Sequence, residues 1–333
     1  MKPKILFVEL EAWEIAWLQP HLENYDAMLS QDKLEQCSEV AATATILSNF
    51  IYSPVTAAEL AKMPNLKLIA TRSTGFDHID VAAARQRGVS VANVPDYGNH
   101  TVAEHTFALL LALSRRLPES LERTRRAQFS PEGLRGWDLA GKTIGLIGVG
   151  GIGRHVAKIA RGFDMHVLAY QRHPDEQLAE ELEFNYVALD ELYAQSDIVS
   201  LHAPENASTH HLVDAKALSK MKDGVVILNT SRGGLIDTRD LLKALESGKV
   251  RAASLDVLEE EGLIKEERQL LSRDYDKAHL QSALEGHLLL SHPNVIVTPH
   301  SAFNSQEALE RILQTTLENI EAFSAGNPCN VVS

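Results

Sequence analysis

An apolar run, Thr143-Ile144-Gly145-Leu146-Ile147, leads directly into Gly148-Val149-Gly150-Gly151-Ile152-Gly153, and a helical pattern from Arg154 to Gly162 follows at once. Strand, glycine turn and helix in that order restrict the possible folds more than any other stretch of the chain. In Gly148-x-Gly150-x-x-Gly153 the first glycine makes the tight turn. The second lets a pyrophosphate approach the backbone, and the third lets helix and strand pack closely. The helix N-terminus then offers free N–H groups and a positive dipole end to the phosphates. The pattern predicts a dinucleotide site at Gly148, Gly150, Gly151, Ile152 and Gly153.

Strand-like runs alternate with helical ones nearly throughout, which predicts an α/β protein with parallel sheets. The 333 residues are enough for two full cores. A first unit has strands near Lys4–Leu10, Thr45–Asn49, Leu66–Thr71 and Val89–Asn93, with helical stretches such as Thr56–Lys62 and Val81–Gly88 between them. After a long helix, Thr101–Arg116, a second unit has strands at Thr143–Gly148, His166–Tyr170, Ile198–His202, Val225–Thr230, Ala252–Asp256 and Val295–Pro299. Six strands with helices between them match a complete doubly wound dinucleotide fold. Asp214 and Thr238 read as N-caps. The last helix, near Gln306–Ala325, is expected to return to the first unit. That division puts residues 1–98 and 301–333 in one domain and 99–300 in the other.

The formal net charge is −13 and there is no long basic run. This argues against nucleic acid or an anionic membrane as a partner. The nearest basic cluster, Arg115-Arg116 with Arg123, Arg125 and Arg126, reads as a solvated or subunit-contacting helix face. Two cysteines, Cys37 and Cys329, give neither a disulfide framework nor a metal-ligand spacing. No metal is expected, and a reducing, cytoplasmic location is. Ile5-Leu6-Phe7-Val8 is too short for a secretory apolar region, and Phe107–Leu113 is far short of a membrane span.

In open α/β sheets, ligands sit outside the carboxyl ends of the strands. In the second unit those ends read His202-Ala203-Pro204, Thr230-Ser231-Arg232-Gly233-Gly234, Asp256 and Pro299-His300. Arg232, Asp256 and His300 are therefore expected at one crevice. An arginine's planar fork suits a substrate carboxylate and polarises an adjacent carbonyl. A histidine gives or takes the proton at the oxygen, and a carboxylate beside it favours the imidazolium. Near a nicotinamide this set suffices for reversible reduction of a 2-oxo acid.

Several segments, in order, resemble the D-isomer-specific 2-hydroxyacid dehydrogenases: Thr71-Arg72-Ser73-Thr74-Gly75-Phe76-Asp77-His78-Ile79-Asp80, Val102-Ala103-Glu104-His105, the glycine motif, Asn229-Thr230-Ser231-Arg232-Gly233, Leu255-Asp256-Val257-Leu258-Glu259-Glu260-Glu261 and Thr298-Pro299-His300. The resemblance covers essentially the whole chain. It implies two doubly wound parallel-sheet domains, a Rossmann cofactor domain and a flavodoxin-like substrate domain. It also implies that Arg232 grips the substrate carboxylate, that His300 is the acid/base and that Glu261 is its carboxylate partner. Asp256 is implied near the nicotinamide. Thr74 and Gly75 are implied at the substrate carboxylate, with Tyr97 and Phe303 lining the pocket. Ala203, Pro204, Thr209, Thr230 and Ser231 join the glycine loop in the implied cofactor set.

Tyr97 and the insertion Gly262–His292 are most similar to the D-lactate dehydrogenase branch, which makes pyruvate the expected substrate. Asn304 follows Phe303 where many members of that branch have a tyrosine, and glyoxylate, hydroxypyruvate or a branched 2-oxo acid stays open as an alternative. A non-catalytic, dinucleotide-sensing corepressor is a further alternative within the family. NAD-dependent members end the second strand of the cofactor domain in an aspartate. Here Val167-Leu168-Ala169-Tyr170 is followed by Gln171-Arg172-His173. An aspartate would repel a 2′-phosphate by on the order of 4 kcal/mol at an effective dielectric near 20. Gln171, Arg172 and His173 are therefore expected to favour NADP, with NAD the alternative. The segment Arg123–Asp138 resembles the arm through which relatives form homodimers.

Overall fold

The computed structural model describes residues 2–259 and 277–332. Two compact units divide the chain, Met1–Tyr97 with Ser305–Ser333 and Gly98–Asn304.

The first unit is a five-stranded parallel sheet of β1 (Lys4–Phe7), β2 (Asp26–Leu29), β3 (Ile46–Ser48), β4 (Leu68–Ala70) and β5 (Ser90–Ala92). Its order is β2-β1-β3-β4-β5, the flavodoxin-like order. Successive residues of β1 feed opposite faces, as the strand period of two requires. Ile5 and Phe7 enter one core, Leu6 and Val8 the other. The helix Gln306–Ser324, capped by Ser305, closes the first of these cores with Leu313, Leu317 and Ile320. Strand β2 was not expected. Its sequence, Asp-Ala-Met-Leu, lies at the sheet edge and keeps alternate residues exposed, so its apolar signal is weak.

The second unit is a seven-stranded parallel sheet: β6 (Thr143–Ile147), β7 (His166–Tyr170), β8 (Asn185–Tyr186), β9 (Ile198–Leu201), β10 (Val225–Asn229), β11 (Val250–Leu255) and β12 (Val295–Val297). The order β12-β11-β10-β9-β6-β7-β8 is the doubly wound 3-2-1-4-5-6 arrangement with one strand added at the far edge. The unforeseen member, β8, has only two residues. All five residues of β10 are buried, as befits a central parallel strand covered on both faces. Asp214 caps the helix Ala215–Lys220 by accepting the Ala217 N–H. The cap of Thr238–Glu246 is Asp237, not Thr238: the Asp237 carboxylate, on extended backbone, accepts the Asp240 N–H, and Thr238 is the first helical residue.

The long helix runs Asn99–Ser114, and after Arg116 at φ +50° a second helix, Leu117–Arg125, begins. Much of the basic cluster is neutralised locally. Arg116 pairs with Glu119, Arg126 pairs with Glu122, and Arg123 donates to the Glu132 carbonyl. Cys37 is buried, Cys329 is exposed, and both are free thiols. No described helix is long and apolar enough to cross a membrane.

Candidate active site

The glycine loop follows β6. Gly148 lies at φ +95°, and a Cβ there would come within 2.7 Å of the His202 carbonyl oxygen at the end of β9. A Cβ on Gly153 would overlap the Gly148 carbonyl oxygen, whereas one on Gly150 would meet only open space. The helix Gly151–Gly162 has no side-chain cap. The N–H groups of Gly150, Gly151 and Ile152 have no acceptor among the described residues. A floor without side chains and a row of unpaired donors at a helix N-terminus fit the pyrophosphate of a dinucleotide.

Gln171 directly follows β7 and turns towards this loop. Its Oε1 accepts the Val149 N–H at 2.8 Å, and its Nε2 donates to the His173 carbonyl at 3.3 Å. Arg172 and His173 are exposed and form no ion pair among the described residues. The second-strand terminus thus carries a neutral amide beside an uncompensated arginine.

At the end of β10, a fully buried asparagine shapes the next loop. Asn229 Oδ1 accepts the Ser231 N–H at 3.0 Å, and Nδ2 donates to the Arg232 carbonyl at 2.8 Å. Ser231 Oγ donates to the Ala203 carbonyl at 2.6 Å, and the Thr230 and Thr106 hydroxyls lie 3.0 Å apart. Thr209 Oγ1 donates to the Pro204 carbonyl at 2.7 Å and accepts the Asn206 N–H at 2.9 Å. The hydroxyls of Thr209, Thr230 and Ser231 are therefore committed to loop geometry. Arg232 emerges half-buried, with Nη1 on the Ser231 carbonyl at 2.8 Å and no carboxylate partner among the described residues.

Asp256 directly follows β11 and is 1% exposed. Its Oδ1 accepts from the Thr298 hydroxyl and, at 2.9 Å, from the Ser301 N–H. Its Oδ2 accepts the Ala302 N–H at 2.9 Å. His105 Nε2 stands 3.2 Å from Thr298 Oγ1 and 3.6 Å from Asp256 Oδ1. These bonds grip both sides of His300, which sits half-buried at φ +53°. Asn229 is in register with Leu255, and Leu255 with Val297. Adjacent strands lie about 4.8 Å apart, so Arg232 and His300 leave the same sheet edge on either side of Asp256. Glu261 lies outside the described residues.

His202 is a member of this edge whose role was not foreseen. Its Nε2 lies 2.8 Å from Ser200 Oγ, and its shielded Nδ1 has no partner among the described residues. Burial pushes its pKa down to about 4, so the ring is neutral near pH 7 and is no proton source there. In the first unit, the loop after β4 is tied by Thr74 Oγ1 to the Val94 carbonyl at 2.7 Å and by Asn93 Nδ2 to the Thr74 carbonyl at 2.8 Å. The N–H groups of Thr74 and Gly75 have no acceptor among the described residues. Tyr97 is half-buried, with its carbonyl on Arg311 Nε at 2.8 Å. In the second unit Phe303 is half-buried and Asn304 exposed.

A doubly wound sheet with a glycine cradle at its first turn, and an arginine and a histidine beyond the two strands that flank β11, defines a dinucleotide-dependent oxidoreductase. Residues 107–302 match the family model of the NAD-binding domain of the D-isomer specific 2-hydroxyacid dehydrogenases. Over 312 residues the chain is 40% identical to a 2-hydroxyacid dehydrogenase homolog of Haemophilus influenzae, covering 93% of this chain and 91% of the relative. It is 37% identical over 308 residues to the D-lactate dehydrogenase of Escherichia coli, covering 92% and 91%. The D-lactate dehydrogenase of Aquifex aeolicus, solved with NAD and lactic acid, matches with a TM-score of 0.85 at 34% identity, over 99% of this chain and 100% of that one. The chain belongs to the D-isomer-specific 2-hydroxyacid dehydrogenases and is an NAD-dependent oxidoreductase of that family, with D-lactate dehydrogenases among its near relatives.

Proposed function

We propose that this enzyme reversibly reduces pyruvate to D-lactate and that, besides NAD, it accepts NADP and prefers it. The bound nicotinamide supplies and recovers the hydride. Arg232 grips the substrate carboxylate with its fork and draws electron density towards the keto oxygen. His300 protonates that oxygen during reduction and takes the proton back in the reverse direction. Glu261 serves as the carboxylate that favours the His300 imidazolium. The Thr74 and Gly75 N–H groups add donors for the substrate carboxylate, and Tyr97 and Phe303 shape the pocket.

One observation carries this reading. Arg232 is held half-buried on a loop braced by Asn229, with no carboxylate among the described residues to neutralise it. A structural arginine is satisfied locally, as Arg116 is by Glu119. The exposed Asn304 beside Phe303 supports a second reading, a branched or otherwise larger 2-oxo acid in place of pyruvate. For the cofactor, the neutral Gln171 removes the repulsion that an aspartate would direct at a 2′-phosphate, and Arg172 adds attraction.

We also infer a homodimer formed through the arm at residues 123–138. Phe129 there is 77% exposed, and Leu121 on the preceding helix is 57% exposed. Large exposed side chains of this kind mark subunit contacts when they cluster. The two free thiols suit a reducing cytosol.

The test is nicotinamide absorbance with pyruvate, glyoxylate, hydroxypyruvate and a branched 2-oxo acid, each with NADPH and NADH. Pyruvate should give the highest kcat/KM. Arg232→Lys, which keeps the charge but loses the fork, should lower kcat/KM by about 10²-fold, equivalent to about 3 kcal/mol. Turnover of none of the four acids would overturn the enzymatic assignment and leave the sensing reading. Light scattering should give twice the 36.7 kDa chain mass.

A further inference from the structure

We propose that His210, His211 and Glu259 form a binding site for a transition-metal dication of the Zn²⁺ class, apart from the hydride-transfer site. One potential ligand atom from each residue lies within 4.8 Å of the other two. The set has two imidazoles and one carboxylate. That combination suits borderline-soft dications and leaves a fourth position for water.

The surrounding carboxylates already orient the rings. His211 Nε2 is 2.6 Å from Glu259 Oε1, while His211 Nδ1 is 3.5 Å from Asp237 Oδ2. Asp237 is itself fixed, because its Oδ1 takes the Asp240 N–H at 3.0 Å at the helix cap. Without an ion, a proton on Nε2 bridges to Glu259. When an ion takes its place, Nδ1–H faces Asp237, the arrangement in which a carboxylate behind a histidine sharpens it as a ligand. His210 repeats it: Nδ1 is 3.1 Å from Glu205 Oε1, which leaves Nε2 to bind. The two rings stack at 3.9 Å between centroids with planes 21° apart. The other oxygen of Glu259 faces the Thr238 N–H at 3.4 Å.

Charge points the same way. Glu205, Asp237 and Glu259 surround two imidazoles, and none of the three forms a salt bridge with a lysine or arginine among the described residues, although Arg239 lies close enough to Asp237 to attract it. A dication offsets this excess and replaces the proton that otherwise bridges His211 and Glu259.

The site also bears on the Arg232 loop. A Cβ on Gly233 would overlap the Leu258 carbonyl, and one on Gly234 would overlap the Glu205 carboxylate. The two glycines that follow Arg232 therefore pack directly against segments that carry the proposed ligands and their supports. Metal binding ties those segments together and stiffens the support beneath Arg232. The cysteine spacing, which led to the expectation of no metal, does not report on such a site. Its ligands are two adjacent histidines and a glutamate 48 residues further on.

The experiment is titration of the full-length protein with Zn²⁺ alone, in competition with a chromogenic chelator, on wild type, His210→Asn, Glu259→Gln and the remote control His166→Asn. Circular dichroism confirms that each variant is folded. Wild type and His166→Asn should bind one equivalent with equal affinity, and His210→Asn and Glu259→Gln should each bind at least tenfold more weakly. Saturating Zn²⁺ should raise the thermal midpoint of wild type and leave that of Glu259→Gln unmoved. Equal affinity in all four proteins, or no competition by wild type, overturns the proposal.

Discussion

Asp256 and Ser301 are joined across 45 residues by the Ser301 N–H, which donates to Asp256 Oδ1 at 2.9 Å. Together with the bond from Ala302 to Oδ2, this holds His300 in the left-handed region at φ +53°. Such a conformation costs a non-glycine residue about 1–3 kcal/mol and persists only where its surroundings enforce it. Here the enforcement comes from a buried carboxylate under the turn that presents the candidate acid/base.

Asp256→Asn tests this support. The amide oxygen keeps one acceptor, but the NH₂ group faces a backbone donor, so the turn shifts. A misplacement of about 1 Å lowers turnover by about 10²-fold. The expected result is a kcat loss of that order with a smaller change in KM for the 2-oxo acid, read by steady-state kinetics on a protein whose circular dichroism is unchanged. An unaltered kcat would show that Asp256 does not position His300.

Cofactor choice should turn on Gln171. In Gln171→Asp the acceptor for the Val149 N–H survives, but a negative charge now faces the ribose 2′ position. The ratio of kcat/KM for NADPH to that for NADH should fall by up to about 10³-fold, the equivalent of roughly 4 kcal/mol. The paired rate measurements check it, and a constant ratio would remove Gln171 from the selectivity argument.

Arg72 governs stability, not chemistry. It is 1% exposed and donates to the carbonyls of Val8 at 2.7 Å, Glu9 at 3.0 Å and Ser48 at 3.2 Å, and to Ser48 Oγ. Burial pulls its pKa below the usual arginine range, against the pull of nearby Glu14 and Glu9. Arg72→Met strands these acceptors and the half-buried Glu14 and should cost about 3–5 kcal/mol in denaturant unfolding. Arg72→Lys should recover only part of this, because an ammonium cannot reproduce the fork.

His202 sets an acid limit. Its folded pKa of about 4 lies below the unfolded value near 6.5, so between these pH values the unfolded chain binds the extra proton. Its contribution is fully present above pH 6.5 and is lost as pH falls towards 4, by up to about 3 kcal/mol. Unfolding free energies measured across this range on wild type and His202→Gln should converge at the acid end. Parallel profiles would mean that His202 is not the titrating group.

The parts of the site that sequence made legible depend on backbone pattern. Gly148 and Gly153 are dictated by a positive φ and a close strand–helix approach, and such demands leave a residue-type signature. Arg232 and His300 could be placed because strand ends in a parallel sheet converge whatever their separation along the chain. The inward bonding of Asp256 could not, since it depends on the path of the chain after β12. The same holds for the Asn229 brace and for the pairing of His211 with Glu259, which are contacts between loops. The edge strands β2 and β8 escaped because short, half-exposed strands lack an apolar pattern. Sequence alone points to Thr238 as the cap because Asp237 and Thr238 are both favoured cap residues, and only the local backbone distinguishes them.

Because the sheet of β1–β5 is finished by the helix Gln306–Ser324, a nascent chain that has just emitted Tyr97 still lacks one wall of that core. At ribosomal speeds of about 5–20 residues per second, Ile5, Phe7 and Leu68 wait for Leu313 and Ile320 for on the order of tens of seconds. The continuous unit, Gly98–Asn304, is meanwhile free to fold first. Birth order thus makes the N-terminal unit the last to mature. A transcript cut short before residue 306 would leave a sticky half-core for chaperones and proteases to find.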